Sequence, residues 1–186
     1  MPRDLKLILA SASPRRAELL SSAGFAFDVE PANVDETIRD GEAAENYVLR
    51  VARDKARTVA ERHRTPAVVL GADTAVVVGG EILGKPVDRA DAARMLALLS
   101  GRLHDVLTAV VVIDGGVERA DIDRTTVSFV PLGAREIAWY IESREPFGKA
   151  GAYGIQGRAA RFIDRIEGSW SNVVGLPIAV VARLLG

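Results

Sequence analysis

AVVLGADTAVVV, residues 67–78, is a run of β-branched and small apolar residues interrupted by one charge, Asp73. A segment apolar at both alternating sets of positions belongs in the middle of a sheet, covered on both faces. It ends at Gly79-Gly80, the signature of a two-residue hairpin turn, and Glu81 to Leu83 is the returning strand. An unpaired carboxylate in such a strand costs on the order of several kcal/mol, so Asp73 requires a lysine, a metal ion or hydrogen-bond donors beside it, unless it lies at an exposed strand end or in a purely structural ion pair. Gly71, two residues earlier, permits the close backbone approach that a site residue needs.

Outward from this strand, the elements alternate. Leu5 to Ala10 reads as a short buried strand, followed by Ser-Ala-Ser-Pro and a helix from Arg15 to Ala23 stopped by Gly24. Phe25 to Val29 is a second strand, and residues 31–41 are polar and turn-rich. Ala43 to Arg62 is the strongest helix, with Tyr47, Val48, Val51, Ala52, Ala56 and Val59 on one face. Downstream, Asp88 caps a helix running to Leu99. Asp105 to Asp114 and Val117 to Val130 form two strands joined at Gly115-Gly116. Ala134 to Ser143 is a further amphipathic helix, Gly148 to Gly157 breaks all periodicity, and Ser171 to Leu185 is a closing helix interrupted by Gly175 and Pro177. Interleaved strands and helices with hairpins among them define an α/β protein with a mixed twisted sheet and flanking helices. The 186 residues fit one domain, 1–186, with no repeat or linker.

The 24 basic and 25 acidic residues nearly cancel. No general field therefore draws the chain onto nucleic acid or an anionic membrane, and any anion must be held locally. Zero cysteines exclude a disulfide scaffold, a thiol nucleophile and a zinc knuckle, and fit a cytoplasmic location. No apolar run approaches the roughly 20 residues of a membrane span. Behind Arg3 and Lys6 the apolar run is too short for a signal-peptide core, so the mature chain is expected to begin at Met1.

Several residues break local rules. In Ser13-Pro14-Arg15-Arg16, serine suits the N-cap and proline the first helical position, but two arginines in the first turn have the wrong sign for the helix dipole. Such a pair suits a bound phosphate; the alternative is two solvated surface arginines. Lys55 lies between Val51 and Val59 on the apolar face of the long helix, pointing inward or along its seam. Glu36 sits in an aperiodic loop and signals little alone. Gly79 through Lys85 has the G-x-x-x-x-G-K spacing of a phosphate-binding loop, but Pro86 replaces the required hydroxyl residue and Glu81 to Leu83 reads as a return strand. Lys85 is retained as a lysine delivered by a turn. The two histidines, His63 and His104, rule out a multi-histidine zinc site, and Asp105 faces away from His104, so no Ser-His-Asp arrangement exists.

Leu7 through Leu20 (LILASASPRRAELL), together with Gly71-Ala-Asp-Thr74, Gly84-Lys-Pro86, Ala150 through Gly157 (AGAYGIQG) and Val173 through Pro177 (VVGLP), resembles the Maf family of nucleoside triphosphate pyrophosphatases. Five pieces in the family's order cover essentially the whole chain. The resemblance implies a fold similar to the inosine triphosphatase-like enzymes, with two lobes around a cleft. It also implies hydrolysis of a nucleoside triphosphate to the monophosphate and pyrophosphate in a house-cleaning role. The family's functional positions fall on Ser11, Arg15, Arg16, Glu36, Lys55, Asp73, Lys85 and Gln156. On this basis Asp73, Glu36, Lys55 and Lys85 are the expected catalytic groups, and Ser11, Arg15, Arg16 and Gln156 the substrate-binding ones. Asp73 and Glu36 are the expected ligands of a divalent cation, Mg²⁺ or Mn²⁺. The Gly-Ile-Gln-Gly form is similar to the branch acting on dTTP and UTP. An amide at Gln156 offers a donor and an acceptor to a pyrimidine edge. The alternative implied by the resemblance is a nucleotide-binding regulator of septum formation with little turnover. A homodimer is the default for an enzyme of this size.

Overall fold

A computed structural model describes residues 6–63 and 67–186. Leu5, at the start of the expected first strand, and Met1 and Arg3, at the expected start of the mature chain, lie outside the described residues. The elements run β1 (Leu7–Leu9), α1 (Pro14–Ser22), β2 (Phe27–Val29), α2 (Ala44–Ala60), β3 (Val68–Val78), β4 (Glu81–Leu83), α3 (Arg89–Leu99), β5 (Leu103–Asp114), β6 (Val117–Phe129), α4 (Ala134–Glu142), β7 (Ile163–Glu167), α5 (Trp170–Val174) and α6 (Ile178–Leu185). The strands are hydrogen-bonded in the order β2-β1-β3-β5-β6-β7, with β4 on β3. β1 is parallel to both β2 and β3, whereas β4 and β7 pair antiparallel with β3 and β6. The sheet is therefore mixed, as the interleaving of hairpins and helices predicts.

The chain divides into two compact units. The first comprises the residues up to Thr74, Thr108–Asp123 and Gly175–Gly186. Its core rests on Ile8 and Leu9 in β1, on Val69 and Leu70 in β3, and on the α2 face of Val48, Val51, Ala52, Ala56 and Val59, all buried. Helix α2 follows from this pattern, since residues at three- and four-residue spacing turn one apolar stripe toward the strands. The second unit comprises Ala75–Leu107 and Arg124–Val174. Val76, Leu83, Leu96, Val127, Tyr140 and Phe162 form the centre of its core.

The hairpin of β3 and β4 forms where expected. Val76 pairs with Leu83 and Val78 with Glu81, while Gly79 and Gly80 adopt φ of 57° and 84°, as a type I′ turn demands. This geometry also disposes of the phosphate-loop spacing, because Glu81–Leu83 is a paired strand. Asp88 caps α3 by accepting the Asp91 amide at 2.8 Å. The closing helix is two helices, α5 and α6, separated at Gly175, whose φ is 123°. Strand β7 is not among the elements expected from sequence. In Ile163-Asp164-Arg165-Ile166-Glu167 the two apolar residues stand three apart, so the segment carries no period-two signal, and the pairing with β6 shifts register between Ser128 and Phe129.

Candidate active site

Gly71 and Asp73 lie two apart on β3 and so share one face of the strand. A methyl group built on Gly71 would collide with the Ala52 carbonyl and come within 2.8 Å of the Ala56 amide nitrogen. The glycine therefore lets α2 pack directly on the strand, rather than opening the backbone to a ligand as its place beside Asp73 suggests. That approach carries Lys55, between Ala52 and Ala56, onto Asp73. The Lys55 ammonium lies 2.8 Å from Asp73 Oδ1 and 2.7 Å from Glu36 Oε1. Lys55 and Asp73 are buried and Glu36 is half-buried. The charge anomalous in β3 and the charge anomalous on α2 thus neutralise each other, with Glu36 as a second acceptor.

Glu36 is held by α2 as well. Tyr47 Oη donates to the Glu36 carbonyl at 3.1 Å. Arg50 donates through Nε and Nη2 to the two oxygens of Glu42, at 2.7 and 2.8 Å, and through Nη2 to the Thr37 carbonyl at 2.9 Å. This paired bond from Arg50 pulls Glu42 down to a pKa of about 2. Burial, reinforced by Asp73 and Glu36, raises the Tyr47 phenol. By sequence, Tyr47 counts only toward the apolar face of α2 and Arg50 toward nothing, because the groups they serve are not one helical turn away.

The two arginines of α1 separate. Arg16 is buried: Nε donates to the Gly175 carbonyl at 2.8 Å, Nη1 to the Ala72 carbonyl at 2.9 Å and Ser11 Oγ at 3.2 Å, and Nη2 to Thr74 Oγ1 at 3.0 Å. Its guanidinium is thus a cross-link with four of its five donors engaged, rather than one of two equivalent cations above the helix end. Burial lowers its pKa, with nearby Arg15 acting in the same sense, while Asp73 and Glu36 oppose the shift. Ser13 occupies the N-cap of α1, as expected, but its hydroxyl caps no amide. Thr74, which no local signal marks, receives Arg16 and sits 2.9 Å from Thr108 Oγ1.

Ser11, Arg15, Arg16, Glu36, Lys55 and Asp73 all belong to the first unit; Lys85 and Gln156 belong to the second. Within the second unit, the Gly151 amide donates to the Gly84 carbonyl at 3.0 Å, joining the loop of Lys85 to the segment of Gln156. Both side chains are exposed. His104 is buried and bonds Tyr153 Oη through Nε2 at 2.8 Å. Asp105 instead pairs with Arg124 and Thr126. Among the described residues, no three acidic or histidine side chains gather as a metal-binding cluster, so Asp73 and Glu36 stand as a pair.

Lys55, shared by two carboxylates, brings Glu36, Lys55 and Asp73 together within the first unit. The family profile described as Maf-like protein matches residues 6–186. The chain belongs to the Maf family. Among its relatives, the dTTP/UTP pyrophosphatase of Anaeromyxobacter sp. (strain Fw109-5) is 54% identical over 185 residues, covering 97% of this chain and 88% of that protein. The dTTP/UTP pyrophosphatase of Symbiobacterium thermophilum is 51% identical over 180 residues, covering 97% and 92%. Among solved structures, the Staphylococcus aureus Ham1 protein aligns with a TM-score of 0.46 at 16% identity, over 67% of this chain and 70% of that one. Among the described residues, no helix is long and apolar enough to cross a membrane.

Proposed function

We propose that this Maf chain is a nucleoside triphosphate pyrophosphatase that hydrolyses dTTP and UTP to the monophosphate and pyrophosphate. The observation that carries this reading is the sharing of Lys55 by buried Asp73 and by Glu36, in a chain whose relatives are named for that activity. Two carboxylates suit a Mg²⁺ or Mn²⁺ ion that takes its other ligands from phosphate and water, so Asp73 and Glu36 fit a divalent cation. Bound there, the cation supplies charge neutralisation and polarisation of the α-phosphate.

The chain's own residues supply the rest. Asp73 accepts a proton from the attacking water, whose oxygen bonds to the α-phosphorus as the bond to the bridging α–β oxygen breaks. Pyrophosphate leaves with the electron pair of that bond. Lys55 orients Asp73 before the proton arrives. Arg15 and Lys85 offset the triphosphate charge, and Arg16 contributes its remaining N–H and holds Ser11. Gln156 pairs with the pyrimidine edge. The same reading has residues 1–186 acting as one functional domain, as a homodimer in the cytoplasm.

Incubating the protein with Mg²⁺ and dTTP, UTP, GTP or 7-methyl-GTP, then measuring pyrophosphate, tests the activity. Release is expected from dTTP and UTP above the purine nucleotides. No release from any of them overturns the enzyme and leaves the nucleotide-binding regulator.

A further inference from the structure

Gln156 sits in a turn, residues 154–157, closed by the Gly157 amide on the Gly154 carbonyl at 3.1 Å. Two side chains hold both ends of this turn. The Gly154 amide donates to Tyr140 Oη at 3.3 Å, and the Tyr140 hydroxyl donates to Glu145 Oε1 at 2.9 Å. Glu145 Oε2 accepts the Arg158 amide at 2.9 Å, just past the other end. Tyr140 is fully buried and Glu145 half-buried.

The surroundings are shaped to this carboxylate. A methyl group on Gly157 would come within 2.3 Å of Glu145 Oε1 and 2.6 Å of Oε2, so the carboxylate keeps this place only beside a glycine. Arg144, one residue before Glu145, takes the left-handed φ of 61° that turns the chain out of α4. The Glu145 amide is fixed on Ser143 Oγ at 3.2 Å, and its carbonyl receives the Lys149 ammonium. An ionised carboxylate has acceptors only, which suits the hydroxyl and amide protons aimed at it. Among the described residues the exposed Gln156 amide has no hydrogen-bond partner, so the turn backbone alone sets its direction.

We propose that Glu145, acting with Tyr140, is a positioning residue for nucleobase selection: the pair clamps the 154–157 turn and so aims the Gln156 amide. This rests on the proposed pyrophosphatase activity and on Gln156 as the group facing the base. Glutamine at 145 retains the shape but turns an N–H₂ group toward one of the protons now accepted.

The test compares wild type, Glu145→Gln and Tyr140→Phe, each shown to be folded by circular dichroism and a cooperative thermal transition. In both variants KM for dTTP and UTP is expected to rise about tenfold, with a smaller change in kcat and a narrower preference over GTP. The Ki of inorganic tripolyphosphate, which lacks the base that Gln156 pairs with in this reading, is expected to stay within about twofold. Unchanged KM and preference in both folded variants overturn the clamp, as does an equal loss of tripolyphosphate binding. Absence of pyrophosphate release by wild type overturns instead the activity itself, and the selection role with it.

Discussion

The Lys55 ammonium lies 2.8 Å from Asp73 Oδ1, with both side chains only 8% exposed. A pair this buried is sensitive to loss of either member, because the survivor keeps its charge without a partner. Lys55→Met is therefore expected to destabilise the fold by about 3 kcal/mol and to remove pyrophosphate release. Urea titration and the release assay check the two effects separately.

Asp73 and Glu36 share one lysine but differ in burial, which separates their proposed roles. Asp73→Asn is expected to lower kcat by about 10²-fold or more. Glu36→Gln is expected chiefly to raise the Mg²⁺ concentration needed for half-maximal rate. Unchanged kcat in Asp73→Asn removes that carboxylate from the chemistry.

Arg50 anchors the loop of Glu36 through Glu42 and the Thr37 carbonyl. Lysine cannot reproduce the planar fork. Arg50→Lys is expected to lower kcat/KM about tenfold while changing the melting temperature little. A wild-type rate would show that the loop holds Glu36 without this anchor.

Gly71 packs against backbone atoms of α2 that cannot rotate away. Gly71→Ala is expected to cost about 3 kcal/mol and to reduce activity by displacing Lys55 from Asp73. Equilibrium unfolding of the variant at neutral pH measures the cost, and near-zero destabilisation would contradict the tight packing.

Burial pushes the His104 imidazole down to a pKa of about 4. The folded state therefore favours the neutral ring relative to the unfolded chain, whose histidine titrates near about 6.5. That contribution is present in full above about pH 6.5 and is lost as the pH falls toward about 4, by about 3 kcal/mol at most. His104→Gln is expected to flatten the stability profile between these limits. An unchanged slope in pH-dependent urea unfolding would exclude His104 as its source.

The legible parts of this molecule are those with a local signal. Gly79-Gly80 announces its hairpin because positive φ at two successive positions selects glycine. Asp73 and Lys55 are conspicuous because each breaks an apolar pattern of known period. Arg16 is visible as an anomaly but its direction is not: the same first-turn position serves a solvent-facing cation or one turned into Gly175, Ala72 and Thr74. Gly71 is legible as a point of close approach, but the neighbour that approaches is the α2 backbone and not a ligand.

The sequence alone determined the mixed α/β class, the β3–β4 hairpin and the apolar stripe of α2, because these follow from residue periodicity and turn chemistry within a few positions. Its motifs also carried the Maf resemblance. Only the tertiary structure decided that Lys55 meets Asp73 across 18 residues, that Arg16 binds a carbonyl 159 residues away, and that Glu145 secures the turn of Gln156. Those contacts depend on how helices and strands pack, and packing joins positions whose separation along the chain carries no period.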